Sequence, residues 1–95
     1  HFIKQDGTII HGEFFTHLFY LIDWIKKFRI IQEDLFKIKI LAVLSGEINK
    51  YDKRKIENKI KLLMGDNCKI EWTFVEDINY TKNGKYLYTK SLIRI

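Results

Sequence analysis

The residue of this sequence with the clearest chemical potential is Lys85, which directly follows the dipeptide Asn83-Gly84 near the C-terminus. Asn-Gly supplies the two positive φ angles of a tight type I′ turn, and aromatic residues flank it, so the sequence predicts a β-hairpin over residues 78–88. A lysine just past the tip of a hairpin can be presented to an anionic group outside this chain. The alternative is a solvated lysine that keeps an edge strand soluble.

The surrounding residues extend this motif. The chain reads Gly84-Lys85-Tyr86, with Thr81 three residues before the glycine and Asn79 two residues earlier. Residues 75–93 resemble the C-terminal end of adenylate-forming enzymes, in particular the phenylacetate-CoA ligase and CapK-like branch, which is associated with capsular polysaccharide biosynthesis. The last motif of that branch is a proline, four residues and Gly-Lys, and here Asn79 replaces the proline. Three upstream runs also resemble the branch in the same order: residues 6–10, 14–19 and 28–32.

The resemblance implies a function. Such enzymes join a carboxylate to the α-phosphate of ATP, release pyrophosphate and pass the acyl group to a thiol or another acceptor. It implies that Lys85 is catalytic and that Gly84 and Thr81 contact the nucleotide or substrate. It also implies that residues 1–95 are one mobile C-terminal domain, inactive alone. The resemblance places the binding of ATP with Mg²⁺, and of CoA as the common acceptor, mainly on a large N-terminal adenylation domain that is absent from this chain. This fragment alone is expected to hold no cofactor.

Composition limits the class of protein. Ninety-five residues make one domain, and 46% hydrophobic with 15% aromatic residues exclude a disordered chain. Seventeen Lys and Arg against twelve Asp and Glu give a net charge of +5, which favours anionic partners: nucleic acid, nucleotide phosphates or an acidic domain. Because the chain starts at His1 on a strand-like run, we expect an excised piece or a processed product rather than a complete translation product.

Other chemistry finds little support in the sequence. Cys68 is the one cysteine, so no internal disulfide can form, and we interpret it as a small buried hydrophobe in a reducing compartment. His11 and His17 do not form an obvious ligand pair on a helix, so we predict no metal site. The longest apolar run is broken at Asp23 and Lys26, so it is too short to span a bilayer. We therefore expect a cytoplasmic chain with no membrane partner.

The elements that would position Lys85 can be predicted from hydrophobic spacing. Asp6-Gly7 predicts the turn of an N-terminal β-ribbon, and Gly65 predicts a left-handed end to the second helix. The sequence thus predicts an amphipathic helix from Glu13 to about Lys27, two antiparallel strands over 28–32 and 36–44, a helix over 50–64, and a strand on which Ile70, Trp72 and Phe74 point inward.

This order predicts the α+β class. We expect a ferredoxin-like split βαβ sandwich, an antiparallel sheet with two helices on one face, with the N-terminal β-ribbon and a C-terminal β-hairpin added.

Two further hypotheses remain open. A basic ferredoxin-like sheet with exposed aromatic residues is also how RNA-recognition domains stack bases, and Lys85-Tyr86-Leu87-Tyr88 superficially resembles their basic and aromatic strand. The glycine spacing of that signature is not reproduced, which counts against nucleic acid without closing that alternative. The partners that the ligase resemblance implies are a carboxylate substrate and the chain's own adenylation domain. A regulatory or assembly module has only fold analogy in its favour. Lys82 and Lys90 lack a preceding glycine, and we interpret both as solvated.

Overall fold

The computed structural model describes residues 1–79 and 88–93. Two helices and six strands follow one another along this part of the chain. They are β1 (Phe2–Ile3), β2 (Ile9–Ile10), α1 (Glu13–Thr16) continued by a 3₁₀ segment (His17–Phe19), β3 (Ile25–Asp34), β4 (Lys37–Leu44), α2 (Lys50–Met64), β5 (Lys69–Phe74) and β6 (Thr89–Ser91). No helix within these residues is long and apolar enough to cross a bilayer.

The N-terminal ribbon is confirmed. Strands β1 and β2 pair antiparallel, with Phe2 opposite Ile10. In the turn, Gly7 adopts a φ of 91°, a conformation that glycine reaches without steric cost. The Asp6 carboxylate accepts a hydrogen bond from the Thr8 backbone N–H at 2.9 Å, and this bond lowers the pKa of Asp6. The predicted Asp-Gly turn therefore forms as the sequence indicates.

The main sheet has four strands in the order β5-β4-β3-β6. β3 and β4 pair antiparallel as predicted, with Ile30 opposite Ile40. The two outer pairs, β4–β5 and β3–β6, are parallel, so the sheet is mixed and the prediction of an antiparallel sheet is wrong for them. Side-chain alternation indicates the face that a strand buries but not its neighbour. Helix α2 connects β4 to β5, and β5 pairs with β4 in the same direction.

The α+β class is confirmed, and the order of helices and strands is compatible with a split βαβ fold. The finer ferredoxin-like arrangement stays a prediction. The turn of the predicted C-terminal hairpin lies outside the described residues.

The first helix is much shorter than predicted. The helix from Glu13 to about Lys27 is wrong beyond Phe19, because residues 25–27 already belong to β3. Trp24 explains the difference: its side chain is buried, and its indole N–H donates a hydrogen bond to Asp52 on α2 at 3.1 Å. Leu21, which the helical pattern would have buried, is fully exposed at 102%. Tertiary packing here outweighs apolar spacing that also fits a helix.

Helix α2 has the bounds that the sequence predicted. The Asn49 side chain caps its start by accepting a hydrogen bond from the Asp52 N–H at 3.0 Å. Gly65 ends it with a φ of 112° as a glycine can, but its ψ of 148° is extended, so the predicted left-handed helical conformation is wrong. The Gln5 amide donates a hydrogen bond to the Met64 carbonyl at 3.1 Å. That bond ties the N-terminal ribbon to the end of α2.

One core joins the ribbon, the helices and one face of the sheet. Cys68 is part of it as predicted, and burial raises the pKa of its thiol. The buried residues of this core are Phe2, Ile10, Phe15, Phe19, Ile30, Ile38, Ile40, Ile56, Ile60, Met64 and Cys68. Trp72 and Ile70 of β5 pack against it as predicted, whereas Phe74 at the strand end is 37% exposed.

Candidate functional site

Three predicted site residues, Lys85, Gly84 and Thr81, lie outside the described residues. The structure does describe both flanks of the segment that carries them, residues 77–79 and residues 88–93. These flanks show where the described chain leads into that segment and out of it.

The N-terminal flank is fastened to β3. Lys27 on β3 forms an ion pair with Asp77 at 2.8 Å, and the same carboxylate oxygen accepts a hydrogen bond from the Ile78 N–H at 2.9 Å. Arg29, two residues further along β3, donates a hydrogen bond to the Asn79 carbonyl at 2.9 Å. Ile78 itself is buried. The chain that leads to Thr81, Gly84 and Lys85 is therefore held beside β3 at residues 77–79.

The C-terminal flank is fastened to the same strand. The Ile30 N–H donates a hydrogen bond to the Tyr88 carbonyl at 2.7 Å, and β6 then runs parallel to β3 with Thr89 opposite Ile30. The Leu92 N–H donates to the Gln32 carbonyl at 2.9 Å. Strand β3 thus holds both flanks, a role that the sequence did not reveal.

Gln32 joins β3 to the N-terminal ribbon. Its side chain is fully buried, its Oε1 accepts a hydrogen bond from the Ile3 N–H at 2.9 Å, and its Nε2 donates to the Ile3 carbonyl at 2.7 Å. The side-chain amide thereby satisfies both backbone polar groups of Ile3, as a neighbouring strand would. A glutamine inside an apolar strand run is the signal that could have indicated this role.

Because Gly12 has no side chain, the start of α1 can lie close to β6. A Cβ atom at position 12 would overlap the Oγ1 of Thr89 and lie 3.1 Å from its Cβ and Cγ2. The φ of Gly12 is −57°, which any residue adopts, so the requirement for glycine is purely steric. The helix start therefore supports the C-terminal flank directly.

We expect Gly12→Ala to lower the free energy of unfolding by about 1–3 kcal/mol, because the added methyl group overpacks the contact with the β-branched Thr89 side chain. Urea denaturation measures the effect. Gly46→Ala is the matched control, since a Cβ there meets only the Trp24 Cβ at 4.0 Å. The double variant Gly12→Ala/Thr89→Ala should recover part of the loss, and strictly additive losses would contradict the proposed contact.

A cleft of about 490 Å³ opens beside the C-terminal flank. Its walls contain aromatic rings: Phe28 stacks on Phe19 with 4.3 Å between ring centroids and lies 5.1 Å from Tyr88. Lys26 and Lys27 are among its lining residues. Rings and ammonium groups together suit a flat ligand that carries negative charge. The cleft is lined by Thr16, Phe19, Tyr20, Ile25, Lys26, Lys27, Phe28 and Tyr88.

The ion pair with Lys27 also sets the acidity of Asp77. The Lys27 hydrogen bond, followed by that from the Ile78 backbone, lowers the pKa of Asp77. A lowered pKa in the folded state stabilises the fold above the unfolded pKa of about 3.9, and that contribution is lost as the pH falls through the folded value.

We expect Lys27→Met to raise the pKa of Asp77 toward its ordinary value, because the strongest partner of the carboxylate is removed. An NMR titration of the Asp77 carboxyl carbon measures this. Lys26→Met, which removes the same charge from the adjacent residue, should raise that pKa much less. Equal shifts in the two variants would show that general charge, rather than this ion pair, lowers the value.

The histidines contact aromatic rings. The His11 ring lies 4.6 Å from that of His1, and the His17 ring lies 4.6 Å from that of Tyr20. Within the described residues, no three His, Cys, Asp or Glu side chains are grouped so that they could hold a metal ion.

The sheet aromatics lie on the covered face. In the strand register, Phe28, Trp72 and Phe74 share the face of Ile30 and Ile40, against which α2 packs. The Trp72 indole N–H donates a hydrogen bond to Glu57 of α2 at 2.8 Å. RNA-recognition sheets instead stack bases on aromatic residues of their open face. The described strands therefore offer no such stacking surface.

A protein-family model described as the CapK C-terminal domain matches residues 2–92. No curated protein and no solved structure matches the chain significantly.

Proposed function

The chain belongs to the CapK C-terminal domain family, and from that membership we propose that it is the mobile C-terminal domain of an ATP-dependent, acyl-adenylate-forming ligase. Lys85 is its catalytic residue, and Gly84 and Thr81 contact the nucleotide or substrate. The observation that carries the proposal is the family match, because it runs from residue 2 to residue 92 and so includes all three residues.

The chemistry of adenylation explains why a lysine is needed. A carboxylate oxygen forms a bond to the α-phosphorus of ATP, and the bond from that phosphorus to the bridging oxygen breaks as pyrophosphate leaves. Negative charge grows on the α-phosphate and on the leaving oxygen. An ammonium placed beside them stabilises the transition state more than the ground state. Lysine suits this because its charge is compact and its stem is flexible.

The flanks of the segment support this role. Lys27 and Arg29 hold the chain before it, and β6 pairs with the same strand after it. A catalytic group is most effective when rigid elements carry it. ATP with its Mg²⁺, the carboxylate and CoA as acyl acceptor would be bound mainly by an N-terminal adenylation domain of a longer, cytoplasmic protein. The isolated chain would be inactive.

The nucleic-acid hypothesis has less support. It requires stacking residues on the open face of the sheet, and the aromatic residues of the described strands are on the covered face. Among the residues that the structure describes, no particular contact favours a regulatory or assembly role.

Carboxylate-dependent ATP–pyrophosphate exchange by the full-length protein that contains this chain tests the proposal. We expect exchange above the acid-free background with at least one member of a panel of aryl and acyl acids, and none from the isolated chain. Absence of exchange across the panel, from protein that is folded and binds ATP, would overturn it.

A further inference from the structure

The positive charge of the chain is concentrated on α2. This helix carries six cationic and two acidic residues, a net charge of +4 out of +5 for the whole chain. The remaining eighty residues are therefore nearly neutral. A helix with this imbalance presents a local positive field to whatever approaches it.

Both acidic residues of α2 are turned toward the protein. Asp52 accepts a hydrogen bond from the Trp24 indole at 3.1 Å, and Glu57 accepts one from the Trp72 indole at 2.8 Å. The ion pairs found among the described residues involve β3, β4, β5 and Asp77, and none includes a cation of α2. The cations on the outer side of the helix, Lys50, Arg54, Lys55, Lys59 and Lys61, are all exposed.

Along the outer side of α2, three uncharged side chains form a crest that has cations on both sides. At about 100° per residue, Tyr51, Asn58 and Leu62 fall within roughly 40° of one another, opposite the buried Ile60. Tyr51 is 74% exposed and Leu62 is 86% exposed. Lys55 and Lys59 flank the crest on one side, and Arg54, Lys61 and Lys50 flank it on the other.

The turn before β3 adds apolar groups to this surface. Tyr20 and Leu21 are exposed, and they line a groove together with Lys55 and Lys59 of α2. Large exposed apolar side chains that stand beside cations mark an interaction surface more often than scattered single ones do. We call this crest, its flanking cations and the Tyr20-Leu21 turn the α2 outer face.

We propose that the α2 outer face binds the anionic surface of a phospholipid bilayer. Its cations would lie at the level of the lipid phosphates, while Tyr51, Leu62 and Leu21 enter the boundary between headgroups and acyl chains. The proposal does not depend on the ligase function, and it revises the expectation of no membrane partner, which considered only spanning segments.

Other occupants fit the α2 outer face less well. A second copy of the chain would bring five cations against five cations, which is repulsive. A nucleic-acid backbone would use the cations but leave the exposed leucines and Tyr51 without partners. An anionic bilayer is complementary to both the charge and the apolar groups.

Vesicle sedimentation with the full-length protein tests the proposal. We expect partitioning onto vesicles with one-third phosphatidylglycerol to exceed that onto phosphatidylcholine vesicles by at least about tenfold, and to weaken with added salt. Lys55→Glu/Lys59→Glu should lower the partitioning by about 25-fold or more, because each cation contributes about fivefold before its charge is reversed. Leu62→Ser should lower it by about tenfold.

The matched control is Lys69→Glu/Lys90→Glu, which makes the same charge change at exposed residues of β5 and β6. It should change partitioning far less than the α2 double variant. Equal losses in the two double variants, equal binding to neutral and anionic vesicles, or no effect of Leu62→Ser would each overturn the proposal. Tighter binding to a single-stranded RNA oligonucleotide than to the anionic vesicles would also overturn it, in favour of nucleic acid.

Discussion

Replacing Gln32 with leucine is expected to lower the free energy of unfolding by about 2–5 kcal/mol, because the change leaves two polar groups of Ile3 without partners in the interior. The Gln32 side chain is fully buried and makes one hydrogen bond to the N–H and one to the carbonyl of Ile3. Leucine has a similar volume, so loss of packing adds little. The cost is the desolvation of two backbone groups.

Urea unfolding followed by the fluorescence of Trp24 and Trp72 measures this prediction. Asn58→Leu is the matched control, since it exchanges an amide for leucine at an exposed position of α2 and should change stability by less than about 0.5 kcal/mol. A loss for Gln32→Leu no larger than that of the control would contradict the proposed role of Gln32.

The variant Gln32→Glu tests the two hydrogen bonds of Gln32 individually. A carboxylate oxygen can still accept from the Ile3 N–H, but it cannot donate to the Ile3 carbonyl unless it is protonated. Burial should raise the pKa of this glutamic acid in the folded state, so the stability of the variant relative to wild type should increase as the pH falls toward the unfolded pKa of about 4.3.

The sequence predicted those elements whose signals are local. The 15-residue helix α2 has an Asn49 cap, a regular apolar period and a terminal glycine. The β3–β4 pair is made of two long strands with a two-residue connection between them. The Asp-Gly turn fixes the ribbon. In each case neighbouring residues are enough to specify the conformation.

The sequence did not predict features that depend on distant contacts. The region after Phe19 has helical apolar spacing, but Trp24 inserts beside α2 and the chain becomes extended at Ile25. β6 is only three residues long, and its parallel pairing with β3 is formed across more than fifty residues of chain. No local pattern encodes such a pairing. For the same reason, the sequence did not indicate that β3 holds both flanks of the segment that carries Lys85.

Lys85→Ala is expected to lower carboxylate-dependent ATP–pyrophosphate exchange by about 10²–10³-fold in the full-length protein, which is the usual loss when one group that stabilises developing negative charge is removed. ATP binding and the folded state should be retained, because the interaction belongs to the transition state. Lys85→Arg should restore little of the rate, since the planar guanidinium cannot take the place of a compact ammonium.

Substitutions of two other lysines test whether the position of the positive charge matters for exchange or only its presence. Lys82 and Lys90 lie near Lys85 in sequence, and Lys90 is exposed on β6. Each of the variants Lys82→Ala, Lys85→Ala and Lys90→Ala removes one positive charge, so all three have the same net charge and a similar long-range field. If exchange falls only in Lys85→Ala, the ammonium after Gly84 acts on the reacting phosphate. If the three variants lose equal activity, the basic C-terminal end attracts ATP as a whole and Lys85 has no catalytic role.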